Sequence, residues 1–463
     1  MTHPLACELA RRDFLRSSAG LLGALSLRSL ATDEPARVPH FAPRAKSVIY
    51  LCLSGAPSQL DLYDEKPKLQ AMDGQPMPAS LVAGQAVDQL KGSQLVCAGS
   101  RFRFASHGRS GMRLSELLPH LGTQADRLAL IRSMHTPIIN HDPAMTMLMT
   151  GNGLPGRPSC GAWASYGLGS TNRDLPAFAV LTSGGGGLPA RQWGAGFLPG
   201  EHQGVRLLSG AEPVRFLADP ADTSRAGRRD QLDALRALDQ QRHVVVGDPA
   251  IESRIAAYEL AFRMQIEVPE VVDLASEGEH GRRLYGEDVD KPGSFARNCV
   301  LARRLVERGV RFVQLFDAGW DHHGQLVHNL RKKADSVDQA MAGLLQDLAA
   351  RGLLDETLVV CAGEFGRTPM NQGGQAGDRY GRDHHGKAFS VWLAGAGIRG
   401  GTTLGATDEL GYDIVERPVA IADLHATILQ QLGFDHERLV HRHQGRDFRL
   451  TDVAGRVVRE VLA

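Results

Sequence analysis

The chain of 463 residues carries 52 basic and 52 acidic side chains, so its formal charge is zero when histidine is counted as neutral. That balance argues against nucleic acid as a main partner, because neutralising phosphates needs a basic field, and the composition excludes collagen, coiled coil and disorder. A hydrophobic content of 43% can build a sizeable core for one large domain or two to three ordinary ones. Six cysteines in so long a chain, with no CxxC or Cys/His finger spacing, do not make a disulfide framework.

The first element is a leader. Ala10-Arg11-Arg12-Asp13-Phe14-Leu15-Arg16 precedes a weakly apolar run, Ser17 to Leu27, and then Ser29-Leu30-Ala31. This order of charged, apolar and small residues predicts an export signal over residues 1–31, cut after Ala31. The paired arginines followed by Phe-Leu resemble a twin-arginine signal, which implies a periplasmic or cell-envelope destination. A basic amphipathic first helix is the alternative. The apolar run falls short of the ~20 residues needed to span a bilayer, so no transmembrane segment is expected. Losing the leader removes four arginines, two carboxylates and Cys7, so the rest of the chain stays close to neutral with five cysteines.

Six short apolar runs follow in chain order: Ser47 to Leu53, Leu128 to Ile131, Phe178 to Leu181, Val310 to Phe316, Leu358 to Cys361 and Ser390 to Leu393. Several end in Gly-rich or Pro-containing turns, as buried strands feeding loops do. Between them lie helical patterns such as Arg331 to Ala350, with Val337, Met341, Leu344, Leu345 and Leu348 at helical spacing. Alternating strands and helices predict an α/β fold with helices on both faces of a mostly parallel sheet. Residues ~200–290 are charge-rich and predict a helical insertion over the sheet. Glu65 to Gly108 reads as a long loop excursion. The four glycines at 184–187 lack the Lys-Ser/Thr of a phosphate loop and read as a turn.

In such sheets, ligands sit beyond the carboxyl ends of the strands. Four polar clusters follow strands: Ser54 to Asp64, Asn140-His141-Asp142-Pro143, Asp317 to Gly324 containing Trp-Asp-His-His-Gly, and a two-part group, Gly363 to Pro369 with Gly381 to Gly386. Carboxylates and imidazoles at strand ends suit a divalent metal with mixed oxygen and nitrogen ligands, Zn or Mn especially, as one or two ions. Arg367 or Arg382 could hold an oxyanion with its planar fork of donors. A lone Asp after a strand is ordinarily a turn or cap residue. Two adjacent imidazoles beside a carboxylate have little structural use and favour a metal or catalytic role.

Taken in order, the twin-arginine start, Gly-Ala-Pro-Ser-Gln-Leu-Asp, the His-to-Thr-Gly segment, Trp-Asp-His-His-Gly, Gly-Glu-Phe-Gly-Arg-Thr-Pro and Gly-Arg-Asp-His-His-Gly resemble the exported domain of unknown function 1501 family. That family is similar to sulfatases within the alkaline phosphatase-like superfamily, and the resemblance covers residues 40–463. It implies an alkaline phosphatase-like three-layer sandwich and a metal-dependent hydrolase of phosphate or sulfate esters. The substrate would be a small anionic ester or a surface glycan, and an exported cytochrome-domain protein is an implied partner. The resemblance puts metal ligands at Asp61, Asp321, His323, Glu364, Asp383 and His384 and a catalytic group at His141; the polar clusters themselves add Arg367 as a catalytic group and Asn140 and Arg382 as substrate contacts.

Two departures from the superfamily pattern matter. Its late Asp-His ligand pair falls on Glu364-Phe365, so one ligand is changed and the other is absent. Aligning Met147-Leu148-Met149-Thr150-Gly151 with the sulfatase Leu-Thr-Gly ending puts His141 at the nucleophile position, where no Cys or Ser is available for the formylglycine route. His141 is open as a nucleophile, a ligand, a general acid/base or a remnant. A catalytically degenerate binding or scaffold protein is therefore the alternative function, and a mutase-like phosphoryl transferase is a third.

Overall fold

The six expected apolar runs lie in one nine-stranded sheet in the computed structural model, which three further short strands complete. The model describes residues 38–463 apart from 83–89, 91–93, 186–187, 209–212, 215–218, 220–222 and 373–376. The expected leader and part of the glycine run lie outside the described residues. In chain order the strands are β1 (Ser47–Ser54), β2 (Leu128–His135), β3 (Phe178–Ser183), β4 (Val205–Arg206), β5 (Phe312–Ala318), β6 (Thr357–Ala362), β7 (Phe389–Ala394), β8 (Thr402–Leu404) and β9 (Val419–Ala420). Their spatial order is β8-β2-β7-β6-β1-β5-β3-β4, with β9 beside β2.

β1 lies at the centre, parallel to both β5 and β6. Covered on both faces, it can be apolar along its length rather than alternating. Its two faces feed different cores. Ile49, Leu51 and Leu53 join one that includes Val300, Leu344 and Leu348, while Val48, Tyr50 and Cys52 join another with Trp163 and Leu424. The longer helices are α1 (His141–Thr150), α2 (Cys160–Leu168), α3 (Arg225–Val246), α4 (Pro249–Val272), α5 (Glu279–Tyr285), α6 (Phe295–Glu307), α7 (Leu326–Ala350) and α8 (Ile421–Gln431). Layers α6 and α7 cover one face; α2 and α8 cover the other. This is the α/β sandwich with a mostly parallel central sheet that the strand and helix pattern predicts.

Two features differ from expectation. β7 runs antiparallel to both β2 and β6, so the segment before it, not the one after it, enters at the carboxyl edge of the parallel strands. The stretch read as a loop from Glu65 contains short helices at Pro67–Ala71 and Ala79–Val82 and a hairpin pairing Phe104–His107 with Met112–Ser115. Its order has a packing cause: Leu69, Met77, Leu90 and Cys97 bury against Met370, Leu410 and Tyr412 in a small separate core. Among the described residues, no helix is long and apolar enough to cross a membrane. All five cysteines among the described residues are buried free thiols.

Candidate metal centre

β1 ends in a tight turn at Gly55 and Ala56, both at positive φ (112° and 57°). A Cβ on Gly55 would stand 2.6 Å from the backbone nitrogen of Asp321, so only glycine lets this turn press against the loop after β5. The Gly55 and Ala56 amides donate to the carboxylate of Glu364 (2.9 and 3.2 Å). Their carbonyl oxygens accept from Arg367, through Nη2 to Gly55 (2.6 Å) and through Nε to Ala56 (2.9 Å). The loops after β1 and β6 are thereby locked together.

The loop after β5 is ordered by Asp317. Its carboxylate accepts from Ser183 Oγ (2.8 Å) and Trp320 Nε1 (2.9 Å) and pairs with Lys333 (2.6 Å). This presents Asp321 and His323 at the sheet edge. His141, the first residue of α1, arrives from the β2 side. His384 arrives on a two-residue ribbon that pairs with Gly366–Arg367 and precedes the antiparallel β7.

One potential ligand atom from each of His141, Asp321, His323 and His384 lies within 4.8 Å of all the others. Asp321 Oδ1 is the hub, with Nε2 of His323 at 2.8 Å, of His141 at 3.2 Å and of His384 at 3.5 Å. Arg367 Nη2 also donates to it, at 2.6 Å. Behind the group, the rings of His141 and His384 pack on Phe365. Three imidazoles and a carboxylate converging on one point are a donor set that fits a divalent ion such as Zn²⁺.

Within the group the carboxylate and the imidazoles shift one another. Burial alone would raise the Asp321 carboxyl, but hydrogen bonds from His141, His323 and His384 and the charge of Arg367 hold it far below the usual range. Burial acts to lower His141, yet its hydrogen bonds to Asp321 and Glu364 outweigh this and push it up to about 9. His323 is raised by its hydrogen bond to Asp321. His322, next in sequence, is lowered to about 4 by burial and by Arg367, and it lies outside the group.

Several expected site residues are placed elsewhere. Asp61 and Arg382, expected as a ligand and a substrate contact, are fully buried as partners of each other. Arg382 Nε lies 2.8 Å from Asp61 Oδ2, with Ser58 Oγ and the Tyr380 hydroxyl donating as well. Every oxygen of Asp61 is thus engaged, and neither residue reaches the four-membered group. Asp383 is also outside it, accepting the Leu90 and His384 amides (3.2 and 2.9 Å) and so bracing the ribbon. Glu364 touches His141 without joining the group. Arg367 is only 1% exposed, its fork filled by Asp321 and backbone oxygens. Asn140 is exposed beside His141, and its side chain makes no cap bond to α1.

Sequence reasoning missed Gln372, whose Oε1 lies 2.5 Å from His323 Nδ1. Nothing in the pattern around an isolated glutamine signals that contact. His385 is a core residue, bonded through Nε2 to the Tyr412 carbonyl (2.6 Å) and lowered to about 4 by burial.

The fold and site define a class: an α/β sandwich with a His-rich group able to hold a metal at the carboxyl edge of its parallel strands. Residues 45–462 match the family described as Protein of unknown function (DUF1501), and the chain belongs to that family. No curated protein matches it. Among solved structures it is similar to the PsFucS1 sulfatase from Pseudoalteromonas sp., at 12% identity over 84% of this chain and 68% of that one, with a TM-score of 0.35. The lipoteichoic acid synthase LtaP from Listeria monocytogenes aligns at 9% identity over 89% and 76%, with a TM-score of 0.35. Alkaline phosphatase from the Antarctic bacterium TAB5 aligns at 11% identity over 77% and 92%, with a TM-score of 0.30. With TM-scores this low, the reading of the site rests on the chain's own residues.

Proposed function

We propose that the chain is an exported hydrolase of phosphate or sulfate esters that works with one divalent ion held by His141, Asp321, His323 and His384. The observation that carries this reading is the convergence of three imidazoles and a carboxylate from four separate segments. A divalent ion there, Zn or Mn, would supply a Lewis acid for an ester oxygen. One ion is proposed rather than two because Asp61 has Arg382 as its cation. His141 is the first residue of α1, and the positive end of that helix dipole favours an anionic ester beside the group. Arg367 neutralises Asp321 from the buried side and holds it in place. Asn140, exposed at the same helix start, is the proposed substrate contact.

A second reading has its own observation. Nδ1 of His141 is engaged by Glu364 and its Nε2 faces Asp321, and no described Cys joins the group. A protein that keeps the fold and binds an anionic ligand without turnover would look the same. Metal analysis of the purified protein, followed by aryl phosphate and aryl sulfate assays, separates the two. The hydrolase reading expects about one ion per chain and turnover abolished in Asp321→Asn. Stoichiometric metal without turnover favours the binding reading, and a chain that takes up no divalent metal sinks the hydrolase reading. Export is proposed on the leader alone, and fusing residues 1–31 to a reporter that requires twin-arginine translocation tests it.

A further inference from the structure

Two of the three histidines are held from behind. His141 Nδ1 lies 2.6 Å from Glu364 Oε1, and His323 Nδ1 lies 2.5 Å from Gln372 Oε1. An ionised carboxylate and an amide oxygen are acceptors only, so in both contacts the ring nitrogen donates. That keeps a proton on Nδ1 of each ring and turns Nε2 toward Asp321 (3.2 and 2.8 Å), where an ion would take the place of the Nε2 proton. Glu364 is itself immobile. It is fully buried, its two oxygens accept the Gly55 and Ala56 amides, and those amides belong to the strained turn that closes β1. Gln372 is anchored by its own amide, which donates to the Gly381 carbonyl (2.9 Å) next to the ribbon that carries His384.

We propose that Glu364 and Gln372 are positioning residues of the metal centre, which fix His141 and His323 with Nε2 facing the ion, and that Glu364 is not itself a ligand. The inference rests on the metal-centre reading above. It also explains why a glutamate can stand where a ligand is expected: its carboxylate acts through an imidazole instead of directly. A carboxylate hydrogen-bonded to the far nitrogen of a ligating histidine orients the ring and increases its basicity, and losing such a partner ordinarily weakens metal affinity about 10- to 100-fold. The neutral amide of Gln372 orients its ring without adding charge, so its loss is expected to matter less.

The test uses the full chain loaded with Co²⁺, whose visible spectrum reports coordination geometry, in competition with a chromophoric chelator. Wild type is expected to take up one Co²⁺. Glu364→Ala should bind it about 10- to 100-fold more weakly with a spectrum of unchanged shape, since the ligands themselves are intact. Glu364→Gln keeps an acceptor for Nδ1 and should recover part of that loss, and Gln372→Ala should fall between Glu364→Gln and wild type. If Glu364→Ala does not fold, Glu364→Gln decides, with a severalfold loss expected and wild-type affinity overturning the proposal. Wild-type affinity in Glu364→Ala overturns it as well, and so does a spectrum changed in the manner of a lost ligand. A wild-type chain that takes up no Co²⁺ overturns the metal-centre reading, a failure distinct from one in which wild type and both Glu364 variants load equally.

Discussion

Asp61 and Arg382 show how a single partner changes what a residue is for. Burial alone would raise the Asp61 carboxyl, but the charge of Arg382 and hydrogen bonds from Arg382 and Ser58 outweigh it and hold it below the usual range. Removing one member of a buried pair leaves the other charge uncompensated, which costs about 3–5 kcal/mol. Arg382→Ala should therefore destabilise the fold by about that amount in urea unfolding at pH 7. The pH dependence has a definite sign. A depressed carboxyl contributes stability that is present above its unfolded value, near about 3.9, and is lost as pH falls through the folded one. Wild type should lose stability below about pH 4. In Arg382→Ala the unpaired, buried Asp61 is raised instead, so the variant should gain stability as pH falls toward about 4 and the deficit against wild type should narrow from neutral pH downward; a deficit constant with pH would contradict this account.

Among the elements, the ribbon from Gly381 to His385 joins the two halves of the site. A Cβ at Gly381 would stand 2.0 Å from the backbone carbonyl of His323, so no side chain fits without moving the loop that carries that ligand. Gly381→Ala should lose most of its metal uptake, measured by chelator competition, while the core of the sheet, read by far-UV circular dichroism, stays intact. Metal affinity equal to wild type would mean that the His323 loop yields freely. A second element-level contact holds α7 to the neighbouring short helix Pro119–Gly122: the Asp338 carboxylate accepts the His120 and Leu121 amides, both at 2.8 Å. Asp338→Ala leaves those donors unsatisfied and should cost about 1–3 kcal/mol, seen as a lower urea midpoint with metal uptake unchanged.

For the molecule as a whole, the candidate centre ties together segments far apart in the chain, so an ion bound there is linked to folding. A ligand that binds only the folded state at about 100 times its Kd adds about 2.7 kcal/mol of stability. Zn²⁺ should raise the Tm of the protein and EDTA should reverse the rise. Asp321→Asn, which removes the hub carboxylate, should respond to neither. An equal Tm response in that variant would place the ion elsewhere.

What could be read from the chain alone was whatever local chemistry determines. Continuous apolar runs such as Ser47 to Leu53 are affordable only to strands covered on both faces, and the spacing of Val337, Met341, Leu344 and Leu348 is that of one helix face. Adjacent imidazoles beside a carboxylate marked Asp321, His323 and His384, and these three do meet. Which residues share a site is a long-range property, and there the tertiary structure decided. Asp61 lies in a promising cluster after β1, yet a distant arginine claims it. His384 reaches the centre only because β7 runs antiparallel and brings its preceding ribbon to the same edge. His141 could have been a nucleophile, a ligand, a general acid/base or a remnant from its position in sequence. Its neighbours Glu364 and Asp321, 223 and 180 residues further along, place it in the four-residue group, because hydrogen-bond partners are chosen by distance in space and not along the chain.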